Sequence, residues 1–135
     1  MNKFIVWYSS DVNENKFSEE FTLEQLIKQD HLDYISDSKM LKNYKVDSIN
    51  SGVGLKDING KSIYADSSIV EIAINYKKSG NRVSTGYFKF NKEYLRYEVV
   101  FIDGYMKGKN EFYNGFMHRF KIIDTIQENK LGLIK

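Results

Sequence analysis

The sequence predicts a mainly β fold, a small antiparallel barrel or sandwich with one short helix, from three observations. After Ser51 the turn pairs Asn59-Gly60, Asp103-Gly104 and Asn114-Gly115 break up aromatic runs, with turn signals roughly every 8 to 12 residues, as in small all-β domains. The chain carries 10 Tyr and 9 Phe with no Pro, and aromatic residues favour strands. Only one stretch carries the chemistry of a helix start.

Phe4-Ile-Val-Trp-Tyr8 reads as the first strand, and Asp11 to Lys16 as a loop. Thr22 and Gln25 then form a capping-box pattern, in which each side chain reaches a backbone N–H that the helix leaves unpaired. Phe21 and Leu26 stand where a hydrophobic staple packs, and Leu23, Leu26 and Ile27 give an apolar stripe at helical spacing. These residues predict a helix over Leu23 to Asp30, with Glu19-Glu20 at its entrance, where the helix dipole favours acid. Residues 31–49 show no clear period, although Lys39 to Asn43 suits one helical turn.

Further on, Val53 to Ile58 reads as a strand, Asn59-Gly60 as a two-residue type I′ turn, and Lys61 to Tyr64 as the return. Ile69 to Tyr76 alternates, with Val70, Ile72, Ile74 and Tyr76 on one face. Ser79-Gly80-Asn81 suits a longer loop. Val83 to Phe90, Tyr94 to Ile102 and Phe116 to Ile126 complete the strands.

At 135 residues one domain is expected: a strand-plus-helix segment over 1–50 and a β-rich core over 51–135. Cysteine is absent, which excludes disulfides and thiolate metal sites. No stretch approaches the roughly 20 apolar residues of a membrane helix, so no membrane partner and a cytoplasmic location are expected. Net charge is +2, without the basic run of a nucleic-acid tail.

Site patterns are sparse. Gly52-x-Gly54 lacks the third glycine of a dinucleotide loop, and a hairpin follows it instead of a helix. Asp57, Asn59, Gly60 and Asp66 fall at EF-hand positions, but Leu55 stands where the first carboxylate must ligate. His31 and His118 lie far apart without ligand spacing, and no nucleophile-elbow pattern occurs. No cofactor, metal site or catalytic residue is therefore expected. Tyr87-Phe-Lys-Phe90 and Tyr94-Leu-Arg-Tyr97 alternate aromatic and basic residues. This makes Tyr87, Lys89, Tyr94, Arg96 and Tyr97 the candidate interaction surface, able to meet a protein or to stack nucleic-acid bases.

Four anchors point to a family. Val53-Gly-Leu-Lys-Asp-Ile-Asn-Gly-Lys-Ser-Ile-Tyr64 resembles the "TGLKDKNGKEIY" signature of YopX-family proteins of phages and prophages. Phe4-Ile-Val-Trp7 is similar to the family's opening "FRAW", and Val100-Phe-Ile-Asp-Gly-Tyr105 to its "V-x-F-x-D-G". Ile122-Ile-Asp-Thr-Ile-Gln-Glu-Asn129 resembles its "VIGNIYEN", with Asp124 in place of a glycine. The anchor positions are Trp7, Leu55, Asp57, Asn59, Gly60, Tyr64, Asp103, Gly104, Glu128 and Asn129. The resemblance implies a β-rich domain with a barrel-like core from a phage or prophage. It brings no catalytic residue with it. The expectation is a non-enzymatic accessory protein that binds a host or phage protein, with a nucleic-acid-binding barrel as the alternative and an enzyme of unknown type as the third.

Overall fold

A computed structural model describes residues 3–10, 15–28, 44–76, 80–104, 107–108, 110–112 and 118–134. The elements run β1 (Lys3–Ser10), β2 (Lys16–Thr22), α1 (Leu23–Lys28), β3 (Tyr44–Lys56), β4 (Ser62–Tyr64), β5 (Ser68–Tyr76), β6 (Gly80–Asn91), β7 (Arg96–Gly104), β8 (Asn110–Phe112) and β9 (His118–Thr125). Among the described residues the protein is mainly β, with antiparallel strands, one short helix and one sheet curled as a half-barrel. It divides into two compact units, Met1–Gly52 and Val53–Lys135.

In the first unit β1 lies between β2 and the first part of β3, antiparallel to both. Ile5, Val6, Trp7 and Tyr8 are all buried. The unbroken apolar run fits a strand covered on both faces. Tyr8 stacks on its cross-strand partner Phe17, with ring centroids 4.7 Å apart. The expected cap is present. The Thr22 N–H donates to Gln25 Oε1 at 2.8 Å, and the Gln25 N–H donates to Thr22 Oγ1 at 3.2 Å. Phe21 and Leu26 join the Val6–Tyr8 cluster, as a staple requires.

One expectation fails in this unit, and a stretch left unassigned by the sequence proves to be strand. Glu19 and Glu20 do not stand at the helix entrance but are exposed on β2, opposite Val6 and Ile5. Pairing of Lys16–Thr22 with β1 decides the strand, and it places the Phe17 ring on Tyr8 and Phe21 against Val6 and Tyr8. Tyr44 to Ile49, which show no clear period, belong to β3. The possible turn at Lys39–Asn43, the end of the predicted helix at Asp30, His31 and the Asn114-Gly115 pair lie outside the described residues.

In the second unit a five-stranded antiparallel sheet runs β8-β7-β6-β5-β9. Alternation puts Val70, Ile72, Phe88, Val99, Phe101 and Phe120 on one face, where they are buried together with Ile63 of β4. Leu55 of β3 packs against this cluster. Phe88 and Phe120 meet edge to face at 5.6 Å, the geometry that aromatic quadrupoles prefer. Tyr64 is 2% exposed, and Trp7 of the first unit 3%, so each is a buried residue, as expected.

The β3–β4 connection has a different geometry from the expected type I′ turn. Gly60 has φ +79°, but Asn59 is not in the left-handed region. The Asp57 N–H donates to Lys61 O at 2.8 Å and the Gly60 N–H to Asp57 O at 3.0 Å. The loop is thus three residues long and closes on a left-handed glycine. Asp57 is the cause, because its Oδ1 accepts the N–H groups of Asn59 and Lys61, each at 2.9 Å. Asp103-Gly104 makes no two-residue turn either. Both residues end β7, opposite Thr85 and Ser84. Gly80 and Asn81 belong to β6 rather than to a loop, and β8 is an additional short strand.

Gly60→Ala is expected to destabilise by about 1 kcal/mol, since only the left-handed backbone penalty applies. A Cβ there meets nothing within 4 Å. Chemical denaturation of both proteins measures the difference.

Candidate functional site

The proposed surface lies around the β6–β7 hairpin, and the strand period divides it. Lys89 is exposed opposite Glu98, and Arg96 faces Asn91, so all four share the outer face with Tyr87. Tyr97 lies on the other face. It pairs with Phe90 edge to face at 5.2 Å and packs against the core cluster. Tyr97 is therefore a core-side residue, because its even spacing from Val99 and Phe101 aligns it with them.

Tyr94 does not begin a strand. It sits in the four-residue connection Lys92–Leu95. Asn91 organises this turn: its Oδ1 accepts the N–H groups of Glu93 at 3.0 Å and Tyr94 at 3.2 Å, and its Nδ2 donates to Glu98 Oε1 at 2.8 Å. Arg96 lies over the Tyr94 ring, 4.9 Å from its centroid, and 3.9 Å from Glu98. Lys89 has a nearby carboxylate in Asp66, whose pKa is raised by burial and partly lowered again by the Lys89 charge. The face therefore mixes both signs, with acid beside each cation.

Sequence reasoning missed Leu95. Among the described residues three non-glycine residues have positive φ: Asp66, Leu95 and Asn129. Asp and Asn tolerate this conformation through short polar side chains, whereas a bulky aliphatic does not. Leu95 has φ +52° and is also 78% exposed, beside Tyr94 at 61%. No local pattern marks it, because an apolar residue between aromatics reads as strand.

The anchors positioned in this unit are structural. Asp57 is buried, and besides the two turn amides its Oδ2 accepts the Ile122 N–H at 3.1 Å. Ile58 also donates to Phe120 O at 2.8 Å, which ties the β3–β4 loop to β9. Asp124 is buried and accepts the N–H groups of Thr125 and Leu131, both at 2.8 Å. Asn129 continues the clasp, with Nδ2 donating to Ile134 O and Oδ1 accepting the Ile134 N–H. Glu128 pairs with Lys130 at 3.2 Å. His118 is on β9 opposite Ile74. Among the described residues no cluster of His, Cys, Asp and Glu could hold a metal ion, and no helix is long and apolar enough to cross a membrane.

Burial pushes the carboxyls of Asp57 and Asp124 up, but the backbone N–H donors and a nearby Lys outweigh it and hold both below the usual range. A carboxyl with a lowered folded-state pKa stabilises the fold above its unfolded value, about 3.9. That stability disappears as pH falls through the lower folded value. The protein is therefore expected to lose stability in this acid window. In Asp57→Asn/Asp124→Asn the loss should flatten, while stability at neutral pH falls. Urea midpoints across pH measure both effects.

A scan against protein-family models finds no match to this chain, and a search of curated proteins likewise finds none.

Proposed function

We propose that this chain is a non-enzymatic phage or prophage accessory protein that acts in the bacterial cytoplasm. It binds a host or phage protein through the β6–β7 turn, with Tyr94, Leu95 and Arg96 as the contact residues. The phage origin rests on the resemblance of the Val53–Tyr64 hairpin and its companion anchors to the YopX pattern.

Leu95 carries the binding reading. A bulky residue in left-handed backbone costs about 1–2 kcal/mol, and its exposure gives nothing back in the isolated chain. Departures from local rules that bring no structural gain collect at functional positions. Tyr94 and Arg96 beside it are of the types enriched at interface hot spots, and Asn91 holds the turn in a preorganised shape, which lowers the ordering cost of binding. The balanced charge of the face favours a protein partner over nucleic acid, since tracking phosphates takes clustered, unopposed cations.

Titration with single- and double-stranded DNA and RNA at low salt tests this choice. The expected result is weak binding, unchanged by Arg96→Ala or Lys89→Ala. Tight binding that falls steeply with salt, and is weakened by either substitution, would favour the nucleic-acid reading.

A further inference from the structure

Asn59-Gly60 is a chemically labile pair held in a structure that restrains its chemistry. In a flexible chain the Gly60 backbone nitrogen, on losing its proton, attacks Cγ of Asn59. The N–Cγ bond forms, the Cγ–Nδ2 bond breaks, and ammonia leaves with the proton. Water then opens the succinimide at either carbonyl to give aspartate or isoaspartate. Glycine at the second position leaves this attack unhindered, and here both residues are exposed, with nothing within 4 Å of where a Gly60 Cβ would stand.

The reacting nitrogen is engaged, however. The Gly60 N–H donates to Asp57 O at 3.0 Å, and the adjoining Asn59 and Lys61 amides are both held by Asp57 Oδ1 at 2.9 Å. Asp57 is in turn anchored through Oδ2 to Ile122 on β9. We infer that Asn59 is a conformationally gated deamidation site, in which the Asp57-held turn must open before the ring can close. Isoaspartate would add a backbone carbon to the three-residue loop, and either product would place a second carboxylate beside Asp57. The modification therefore weakens the turn that had restrained it. This inference is independent of the proposed binding function.

The test follows Asn59 by mass and isoaspartate content in the full-length chain, aged at mildly alkaline pH and then digested with trypsin. Cleavage after Lys56 and Lys61 releases Asp57–Lys61, in which Asn59 is the sole asparagine, apart from the peptide that carries Asn114. A synthetic peptide of residues 53–64 gives the ungated rate. The native chain is expected to react about tenfold or more slowly, in step with the hydrogen-exchange protection of the Gly60 amide. Asp57→Ser is expected to move the rate toward that of the peptide. Equal rates in chain and peptide would overturn the inference, as would a folded Asp57→Ser protein with the native rate. If Asp57→Ser does not fold, exchange decides: a protected Gly60 amide without slowed deamidation overturns it.

Discussion

Gly104→Ala is expected to cost about 3 kcal/mol, well beyond the cost of Gly60→Ala, although both glycines have left-handed backbone. Gly104 has φ +86°, and an added Cβ would stand 2.7 Å from both Ser84 Cα and Val83 O. Those are backbone atoms of the paired strand β6, so no side chain can swing away. The left-handed penalty of about 1–2 kcal/mol adds to overpacking of about 1–3 kcal/mol. Gly86→Ala isolates the second contribution. Its backbone is not left-handed, yet its Cβ would sit 2.5 Å from Val100 O and 3.3 Å from Phe101 Cα. Gly86 is buried on the core face at a register shift between β6 and β7, so about 2–3 kcal/mol is expected there. Urea titration of the three variants measures the series. A Gly104→Ala protein no less stable than Gly60→Ala would show that the strands separate easily at this point.

Phe88→Ala is expected to cost about 3–5 kcal/mol, the range for a fully buried phenylalanine. Phe88 has no exposed surface and packs on Phe120 within the cluster that joins β4, β5, β6, β7 and β9. The cavity cannot collapse cheaply, because Phe88 and Val99 face each other across a hydrogen-bonded ladder. Leu95→Asn, on the outside of the same hairpin, should be neutral or raise stability by about 1 kcal/mol, since Asn accepts positive φ. Thermal and urea midpoints should therefore fall for Phe88→Ala and hold or rise for Leu95→Asn.

What the sequence revealed depended on the range of the interactions. The cap at Thr22 and Gln25 and the buried run Ile5–Tyr8 were legible because each rests on neighbours a few residues apart. The left-handed glycine at position 60 was legible, but the loop length was not. The length is set by Asp57, which is held to Ile122 across 65 residues, and no local pattern carries that bond. Glu19-Glu20 read as a helix entrance, but pairing with β1, which no local pattern shows, puts them on a strand. Gly86 inside a run of strand formers is a weak signal of close backbone approach, readable only once its partner strand is known. At the candidate surface, Tyr87, Lys89 and Arg96 share the outer face, whereas Tyr97 directly follows Arg96 and so falls on the core side, a split that grouping the two aromatic-basic runs as one surface overlooked. Leu95 was missed because its backbone conformation, not its identity, sets it apart.

The most direct test of the proposed function compares wild type, Leu95→Asn and Tyr94→Ala as immobilised baits in nuclease-treated lysate of infected cells. Thermal midpoints are taken on the same preparations. One protein is expected to be retained by wild type at defined stoichiometry and lost from both variants while their folds stay intact. Equal retention by Leu95→Asn, or nucleic acid as the only bound species before nuclease treatment, would contradict the proposed function.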